Sequence, residues 1–327
     1  MLKLFSGTSN QSLTREISRS LKIPLAKSEV VRFDNSEVRV TIQEKVKDST
    51  CVVIQSTSNP TDTHLLELFF FADALKRQGA KNIIAIIPYF GYARQNREHR
   101  QGEAVSVNVV IRFLEAIGFN QIHTINLHDE ATEGIFSIPF KNLSALPILA
   151  KQLAYYLKNN KNREKAVIVS PDQGGVERAQ IFAENFFHTA TQIIPGMSKA
   201  ATRNLDKDVE IAVIEKRRSL SQIHKSKALN LYGNVKNKTC ILVDDIITSG
   251  GTLVHAADFC LKRGASRVLA CVVHHDFSPQ AEKDLSKSKI EKIFTTNTIE
   301  LKTGQKFSQL QEISVAPLIA REINKLI

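Results

Sequence analysis

Unbroken apolar runs alternate along this chain with amphipathic segments, and the alternation predicts a regular succession of strands and helices. Strand candidates lie at residues 51–54, 83–88, 122–127, 166–170, 210–214 and 240–243, and helical patterns at 105–117, 146–157 and 253–263. Continuous apolar runs of this length fit strands that are buried on both faces of a parallel sheet. The predicted fold is therefore α/β, with mainly parallel sheets flanked by helices.

The two halves of the chain contain versions of one strand–helix–strand unit. The segment Thr50–Ser56 aligns with Thr239–Asp245, and each is followed by a helical pattern that ends at a Gly-Ala pair. Gly79 and Gly264 begin those pairs, where the end of a helix favours a residue with positive φ. The repeat therefore predicts two similar α/β domains.

The boundary between the predicted domains falls near residues 143–147. We predict a first domain at residues 1–146 and a second at 147–327, with a last helix that can pack back on the first domain. Only the second domain carries an acid pair followed by a glycine-rich turn. This difference indicates that the first domain was adapted to another role.

Two carboxylates and a hydroxyl-rich turn follow the apolar run at 240–243. Asp244 and Asp245 are predicted at the carboxyl end of that strand, where open α/β sheets bind ligands, and they can accept from sugar hydroxyls. The turn leads into a helix, so its N–H groups and the helix dipole suit a phosphate monoester. The turn consists of Thr248, Ser249, Gly250, Gly251 and Thr252. The alternative is a buried strand before a capped helix, with both acids as ordinary turn residues.

Two polar clusters follow strand candidates in the first half. In the segment 89–100, aromatic residues can stack on a base and arginines can bind phosphate oxygens, although a solvated charged loop is the alternative. His128 ends the next strand candidate beside Asp129 and Glu130, which could assist a hard cation such as Mg²⁺. The alternative for His128 is a structural histidine.

Two further clusters follow strand candidates in the second half. Asp172 precedes a glycine pair and is a candidate ligand for Mg²⁺ or for ribose hydroxyls, with an N-cap or turn residue as the alternative. Lys216, Arg217 and Arg218 precede a polar stretch at 219–228 that is predicted to be mobile. Cations there could close over a reacting phosphoryl group, and a plain basic surface patch is the alternative.

Composition narrows the classes of function. The 327 residues carry a formal net charge of +11, but the cations are scattered, so we expect small polyanionic substrates rather than nucleic acid. No run approaches about 18 apolar residues and the start lacks the features of a secretory signal, so we expect no membrane association. Four cysteines without C-x-x-C spacing are expected to be buried thiols in a protein of the cytoplasm. The nucleotide-binding P-loop and dinucleotide fingerprints are both absent from the sequence.

The acid pair and turn resemble the 5-phosphoribosyl 1-diphosphate (PRPP) binding loop of the type I phosphoribosyltransferase superfamily. Together, the clusters resemble the ribose-phosphate pyrophosphokinase (PRPP synthetase) family over nearly the whole chain. The stretches that carry this resemblance are Phe5–Gly7, Phe33–Glu37, Pro88–Gln95, Asn126–His128, Ser170–Gly175, Lys216–Arg218, Thr239–Thr252 and Ser314–Leu318. The resemblance implies two phosphoribosyltransferase-like domains, ATP and ribose 5-phosphate as substrates, PRPP and AMP as products, Mg²⁺ as cofactor and a homo-oligomer.

The resemblance also implies a role for each matching residue. It assigns ATP to Phe33, Asn35, Ser36, Glu37, Arg94 and Gln95, in a site that a neighbouring subunit can complete. It assigns Mg²⁺ to His128 and Asp172, and catalysis to Lys216 and Arg218. It assigns ribose 5-phosphate to Arg218, Asp244, Asp245, Thr248, Ser249, Gly250, Gly251 and Thr252.

Three positions depart from residues that are common in the family. Thr248, Asn96 and Asn126 stand where Asp is usual, and each change removes a negative charge near the expected triphosphate or metal. Two other functions therefore stay open. A PRPP-consuming phosphoribosyltransferase explains the 240–252 motif but not Arg94 and Gln95, and a catalytically weak regulatory subunit is favoured only by the three departures.

Overall fold

The computed structural model describes residues 1–159, 165–194, 210–217 and 228–326, with the backbone alone at 216–217 and 228–229. These residues divide into two compact units. Unit 1 comprises Met1–Ser144, Asn297–Glu300 and Ser314–Ile327, and unit 2 comprises Ala145–Thr296 and Leu301–Ile313.

Strands and helices alternate along both units. In unit 1 they are β1 (Leu2–Ser6), α1 (Gln11–Leu21), β2 (Ser28–Arg32), β3 (Val38–Ile42), β4 (Thr50–Ile54), α2 (Thr61–Arg77), β5 (Asn82–Ile87), α3 (Ser106–Ile117), β6 (Gln121–Ile125) and β7 (Phe140–Leu143). In unit 2 they are α4 (Leu146–Asn159), β8 (Ala166–Ser170), α5 (Val176–Ile193), β9 (Ile211–Arg217), β10 (Ala228–Tyr232), β11 (Thr239–Ile247), α6 (Gly251–Lys262), β12 (Arg267–His275), α7 (Ala281–Ser286), β13 (Ile290–Thr296) and β14 (Leu310–Ile313). A last helix, α8 (Ala316–Ile323), belongs to unit 1.

Each unit is built on a mainly parallel sheet. The order in unit 1 is β1-β4-β5-β6-β7, all parallel, and an antiparallel ribbon of β2 and β3 stands apart from it. The order in unit 2 is β10-β9-β8-β11-β12-β13-β14, in which only β10 runs antiparallel to its neighbour. Strand β4 holds the same place between its neighbours as β11. The predicted fold of two similar, mainly parallel α/β units is confirmed.

The predicted strands are buried on both faces. Residues 240–243 of β11 are fully buried, and residues 51–54 of β4 are exposed by at most 2%. Helices α2 and α6 are followed by Gly79 and Gly264, whose φ angles of 79° and 90° confirm the predicted left-handed positions. The strand predicted at 122–127 ends earlier, at Ile125, because the next residue has a φ of 43° and leaves the extended conformation.

Two other predicted boundaries also differ from the structure. The strand predicted at 210–214 continues to Arg217, because β10 extends its ladder as an antiparallel partner. The loop predicted to begin at Lys158 begins later, since helix α4 continues to Asn159. Residues 160–164 of that loop lie outside the described residues, as do residues 219–227 of the loop predicted to be mobile.

The helix that follows the last strand of each sheet belongs to the other unit. Helix α4 follows β7 of unit 1 but packs on α5 in unit 2, whereas α8 follows β14 of unit 2 but packs on α1 in unit 1. Within unit 1, the Asn297 amide donates to Glu16 and accepts from the Val315 N–H at 2.8 Å, which holds the start of α8. Near its end, Glu322 forms an ion pair with Lys141 of β7.

All four cysteines are free and buried, as the sequence predicted. None of the described helices combines the length and the apolar character that a bilayer span requires.

His123 of β6 is a fully buried side chain whose two ring nitrogens find no hydrogen-bond partner among the described residues. Burial lowers the pKa of His123 below its usual 6.5; nearby Glu322 opposes that shift, and Lys141 and Lys325 add to it. The folded protein therefore favours the neutral ring.

We expect the melting temperature of the protein to fall as the pH drops below about 6.5, because the unfolded chain then binds a proton that the folded chain excludes. His123→Leu removes this titration and should flatten the fall between pH 7 and pH 5. The control is His255→Ala, which replaces an exposed histidine of α6. A pH dependence in His123→Leu as steep as in the unchanged protein would contradict this role of the buried ring.

Candidate active site

The carboxyl ends of three neighbouring strands place polar residues along one edge of the unit 2 sheet. Strands β9, β8 and β11 are adjacent and parallel, so their carboxyl ends lie on the same side. Strand β8 leads to Asp172, β9 carries Lys216 near its end, and β11 carries Asp244 and Asp245. Because Val213 pairs with Ser170, the Lys216 backbone extends three residues further, roughly 10 Å along the strand direction. Arg218 lies outside the described residues.

The two carboxylates of the acid pair are mostly buried and lie within a strand rather than on an exposed turn. Asp244 and Asp245 lie within β11, with side chains that are 15% and 7% exposed, and both accept from the guanidinium of Arg178 in α5. Burial raises the pKa of Asp244 well above its usual value, and the Asp245 carboxylate adds to the increase, whereas Arg178 opposes it. The pair is therefore an enclosed acidic site, and Arg178 favours its charged form.

The turn after the acid pair is supported from behind by the segment that follows β12. The carbonyl of Ile247 accepts from the Asp276 N–H at 2.9 Å, and the carbonyl of Thr248 accepts from the Ser278 N–H at 3.2 Å. Gly250 has a φ of 78°, and a Cβ on it would lie 2.8 Å from Cγ of Leu285. These contacts hold the start of the turn, and helix α6 begins within the turn at Gly251, whose N–H donates to Ser249 Oγ at 3.4 Å. The first N–H groups of a helix and its dipole suit an anion.

Asp172 caps a short 3₁₀ helix at the end of β8. Its Oδ1 accepts from the Gly175 N–H at 3.1 Å, so the capping role considered as an alternative is present in the structure. One carboxylate oxygen suffices for this bond, and the residue is only half-buried. The next residue, Gln173, donates to Glu215 of β9 at 2.9 Å, which ties the ends of β8 and β9 together.

In unit 1, the loops after β5 and β6 are joined by a side-chain hydrogen bond. Asn96 Nδ2 donates to Asp129 Oδ2 at 2.6 Å, which links the segment of Arg94 and Gln95 to the segment of His128. Gln95 also accepts from Ser106 Oγ at 2.6 Å, at the start of α3. An Asp at position 96 would face a second carboxylate here, so the departure from the family's usual residue is matched by a local hydrogen bond.

The tip of the β2–β3 ribbon carries the other residues predicted to bind ATP. Phe33, Asn35, Ser36 and Glu37 are all exposed. Behind the tip, Arg32 donates to the Ser36 carbonyl at 2.9 Å and lies 3.5 Å from Glu67. The structure describes no hydrogen bond between this tip and the segment of Arg94 and Gln95.

Two charged residues that organise these sites, Glu67 and Arg178, were not predicted from the sequence. Glu67 is 3% exposed on α2 and accepts from Thr8 and from Gln55, in addition to facing Arg32. Its signal was a single acid inside the apolar stretch 65–71. Arg178 gave no local signal, because its partners lie 66 and 67 positions further along the chain.

The place that the acid pair holds in unit 2 is filled differently in unit 1. Gln55 and Ser56, which align with Asp244 and Asp245, are fully buried. Gln55 accepts from the Ser9 N–H at 3.0 Å, and Ser56 donates to the Thr298 carbonyl. Protein groups therefore take the hydrogen bonds at this strand end, which agrees with the loss of the acid pair and turn from the first half.

Comparisons with known proteins give one consistent result. The family model described as the N-terminal domain of ribose phosphate pyrophosphokinase matches residues 2–118, and the model of the phosphoribosyl synthetase-associated domain matches residues 162–327. The chain is 37% identical to the ribose-phosphate pyrophosphokinase of Clostridium perfringens, over 99% of this chain and 94% of that protein. It is also 37% identical to that of Bacillus subtilis, over 98% and 93%.

A solved structure gives the same result in three dimensions. The crystal structure of phosphoribosylpyrophosphate synthetase from Mycobacterium smegmatis is similar to this one with a TM-score of 0.85 and 31% sequence identity. The similarity covers 99% of this chain and 98% of that one.

Proposed function

This chain belongs to the ribose-phosphate pyrophosphokinase family and is a PRPP-forming enzyme, and we propose that it transfers the diphosphoryl group of ATP to the anomeric hydroxyl of ribose 5-phosphate. The observation that carries the substrate proposal is the edge of the unit 2 sheet. There, an enclosed acid pair and the N-terminus of a helix with a supported turn lie on consecutive residues. The acid pair suits sugar hydroxyls, and the N–H groups of the turn and of the helix N-terminus suit a phosphate monoester.

Ribose 5-phosphate is assigned to this edge. The phosphate would accept from the N–H groups of residues 248–252, and the sugar hydroxyls would donate to the acid pair, Asp244 and Asp245. The engaged carbonyls of Ile247 and Thr248 support this assignment, because they hold the turn in one conformation before the substrate binds. Binding in this orientation would fix the direction of the anomeric oxygen.

ATP is assigned to residues of unit 1. The exposed ribbon tip at 33–37 offers an aromatic ring, an amide and a carboxylate for a nucleoside, and Arg94 offers a guanidinium for phosphate oxygens. The hydrogen bond between Asn96 and Asp129 supports a shared role of the Arg94 and His128 segments, since it fixes the two loops together.

The Asp172 carboxylate fits the Mg²⁺ role assigned to it. This ion is usually held by one or two carboxylates together with substrate phosphates and water, rather than by a complete protein cage. Asp172 supplies such a carboxylate, with only Oδ1 engaged by the Gly175 cap, and His128 supplies an exposed imidazole in unit 1. When bound, the ion supplies neutralisation of triphosphate charge.

The chemistry left to the chain is orientation and stabilisation of charge. The anomeric oxygen attacks the β-phosphorus, the bond from that phosphorus to the α-phosphate oxygen breaks, and AMP leaves. Lys216 and Arg218 are assigned to the charge that develops on the transferred group. The position of the Lys216 backbone supports this, since it lies beyond the end of β8, on the edge of the sheet that also leads to Asp172.

The two alternative functions find less support. Both units match the family over nearly the whole chain, whereas a PRPP-consuming phosphoribosyltransferase leaves unit 1 unexplained. A weak regulatory subunit rested on the three departures, and Asn96 has a local structural reason.

The decisive experiment measures AMP formation by the purified full-length protein with ATP, Mg²⁺ and ribose 5-phosphate. We expect AMP to form only when all three are present, together with an equal amount of PRPP. A folded protein that binds ATP but forms no AMP would support the regulatory subunit instead. Consumption of added PRPP with a nucleobase would support the phosphoribosyltransferase.

Self-association and a cytoplasmic location complete the proposal. Helices α2 and α3 leave four large apolar side chains exposed by 39–57%, namely Leu66, Phe70, Val109 and Phe113, and a second copy of the chain would cover them. Analytical ultracentrifugation of the protein and of Phe113→Ser tests this surface, and an unchanged mass of the assembly in the variant would argue against it.

Four free cysteines agree with a reducing compartment such as the cytoplasm.

A further inference from the structure

Arg178 contacts both members of the acid pair. Its Nη1 lies 3.1 Å from Asp244 Oδ1 and 3.2 Å from Asp245 Oδ1. The Arg178 side chain is only 14% exposed. A single nitrogen therefore joins two adjacent carboxylates, at a depth where water screens the contact poorly.

The surroundings of Arg178 leave a narrow path for its side chain. Gly175, directly before α5, is buried, and a Cβ added to it would lie 3.4 Å from Arg178 Nη1 and 2.8 Å from Ser170 Oγ. The guanidinium thus passes beside a position with no side chain to reach β11. The Asp172 cap fixes the Gly175 N–H and so holds this path in place.

The charges in this cluster make the arginine necessary. Two neighbouring carboxylates removed from water repel each other, and burial favours protonation of one of them. A protonated acid would donate a hydrogen bond instead of accepting one, and it could rotate. Burial and Asp245 do raise the pKa of Asp244, and Arg178 acts in the opposite direction.

We propose that Arg178 is a positioning residue of the ribose 5-phosphate site, whose guanidinium fixes Asp244 and Asp245 so that the pair accepts hydrogen bonds from the sugar hydroxyls. This inference rests on the proposed function, since it assumes that the sugar binds at the acid pair. Arg178 acts through the carboxylates and not on the reacting phosphoryl group. Its loss should therefore weaken binding of the sugar phosphate much more than binding of the nucleotide.

The test compares Arg178→Gln and Arg178→Lys with the unchanged full-length enzyme. In Arg178→Gln we expect the KM for ribose 5-phosphate to rise about tenfold or more, because a charge-assisted hydrogen bond to each carboxylate is lost. The KM for ATP should change by less than about twofold, as expected when the lost interaction serves only the other substrate. Arg178→Lys keeps the charge without the planar fork and should give a smaller rise.

The matched control is Arg267→Gln. The Arg267 side chain is 11% exposed, about as enclosed as that of Arg178, and it lies 3.2 Å from the more exposed Glu291, at the amino end of β12. A general loss of stability would affect both glutamine variants alike. We expect both KM values of Arg267→Gln to stay within about twofold of the unchanged enzyme.

A double-mutant cycle shows whether Arg178 acts through the acid pair. In the Asp244→Asn background, Arg178→Gln should raise the KM for ribose 5-phosphate by less than about threefold, because the residue it positions has already lost its charge. Equal effects in both backgrounds, or a rise in the KM for ATP instead, would overturn the proposal. If Arg178→Gln does not fold, Arg178→Lys decides, and an unchanged KM for ribose 5-phosphate would overturn it.

Failure of this inference can be told apart from failure of the proposed function. If the unchanged protein forms no AMP from ATP and ribose 5-phosphate, the function itself is wrong. If the unchanged protein is active and Arg178→Gln behaves like Arg267→Gln, only the role of Arg178 is wrong.

Discussion

Replacement of Lys216 by alanine is expected to lower kcat by about a hundredfold to a thousandfold, the usual cost of removing a group that stabilises transition-state charge. The KM values for both substrates should change by less than about threefold, because the contact proposed for Lys216 is one made mainly in the transition state. The measurement is steady-state AMP formation with either substrate varied. The position of Lys216 near the carboxyl end of β9, on the edge that also holds Asp172 and the acid pair, is the structural basis of this expectation.

The control for this variant is Lys262→Ala. Lys262 is exposed in the last turn of α6, at the end of the helix that is remote from the turn at 248–252. Its loss changes the net charge equally but should leave kcat unaltered. A large rise in KM for Lys216→Ala at unchanged kcat would show that the lysine binds a substrate rather than stabilising the reacting group.

Replacement of Gly250 by alanine is the second change with a large expected effect. A residue with a Cβ is strained at the observed φ of 78°, and its methyl group would lie 2.8 Å from Cγ and 2.9 Å from Cδ2 of Leu285. We expect a loss of about 1–3 kcal/mol in the free energy of unfolding, as is usual for a forced left-handed residue. The turn or the buried Leu285 side chain must shift to relieve the clash. We expect the turn to shift and the KM for ribose 5-phosphate to rise at least about tenfold as the turn's N–H groups lose their alignment.

The control variant Gly304→Ala separates the effect of backbone strain at positive φ from the effect of the clash with Leu285. Gly304 also belongs to unit 2 and has a φ of 89°, but nothing lies within 4 Å of the position of an added Cβ. This variant should therefore show backbone strain without any change in KM. If Gly250→Ala and Gly304→Ala lowered the free energy of unfolding equally and both left the KM for ribose 5-phosphate unchanged, the close packing against Leu285 would not matter for the turn. Urea unfolding and the assay for AMP formation measure the two effects.

Local patterns in the sequence predicted the fold because the information they require is local. Unbroken apolar runs such as 240–243 identify strands that are buried on both faces, and Gly79 and Gly264 mark helix ends through their own backbone freedom. One boundary that moved has a non-local cause. Strand β9 continues to Arg217 because β10 pairs with it, and the sequence of β9 alone does not predict that partner.

The candidate site was predictable where its residues follow one another in the chain. The acid pair and the turn lie within nine consecutive residues, so a single motif revealed them. Arg178 was not predictable, because one arginine in a helix looks the same whether it faces water or neutralises two carboxylates on a distant strand. Glu67 was overlooked for the same reason, since Thr8, Gln55 and Arg32 come from three separate segments. Burial and pairing of charges depend on the assembled fold.

The swapped positions of α4 and α8 mean that neither half of the gene encodes a self-sufficient domain. A polypeptide that stopped at residue 146 would lack the helix that covers α1, and Lys141 would lose Glu322. The remaining half would in turn carry α8 without the surface on which it rests. If the chain arose by duplication of one ancestral unit, each copy now includes a helix that the other half of the chain supplies.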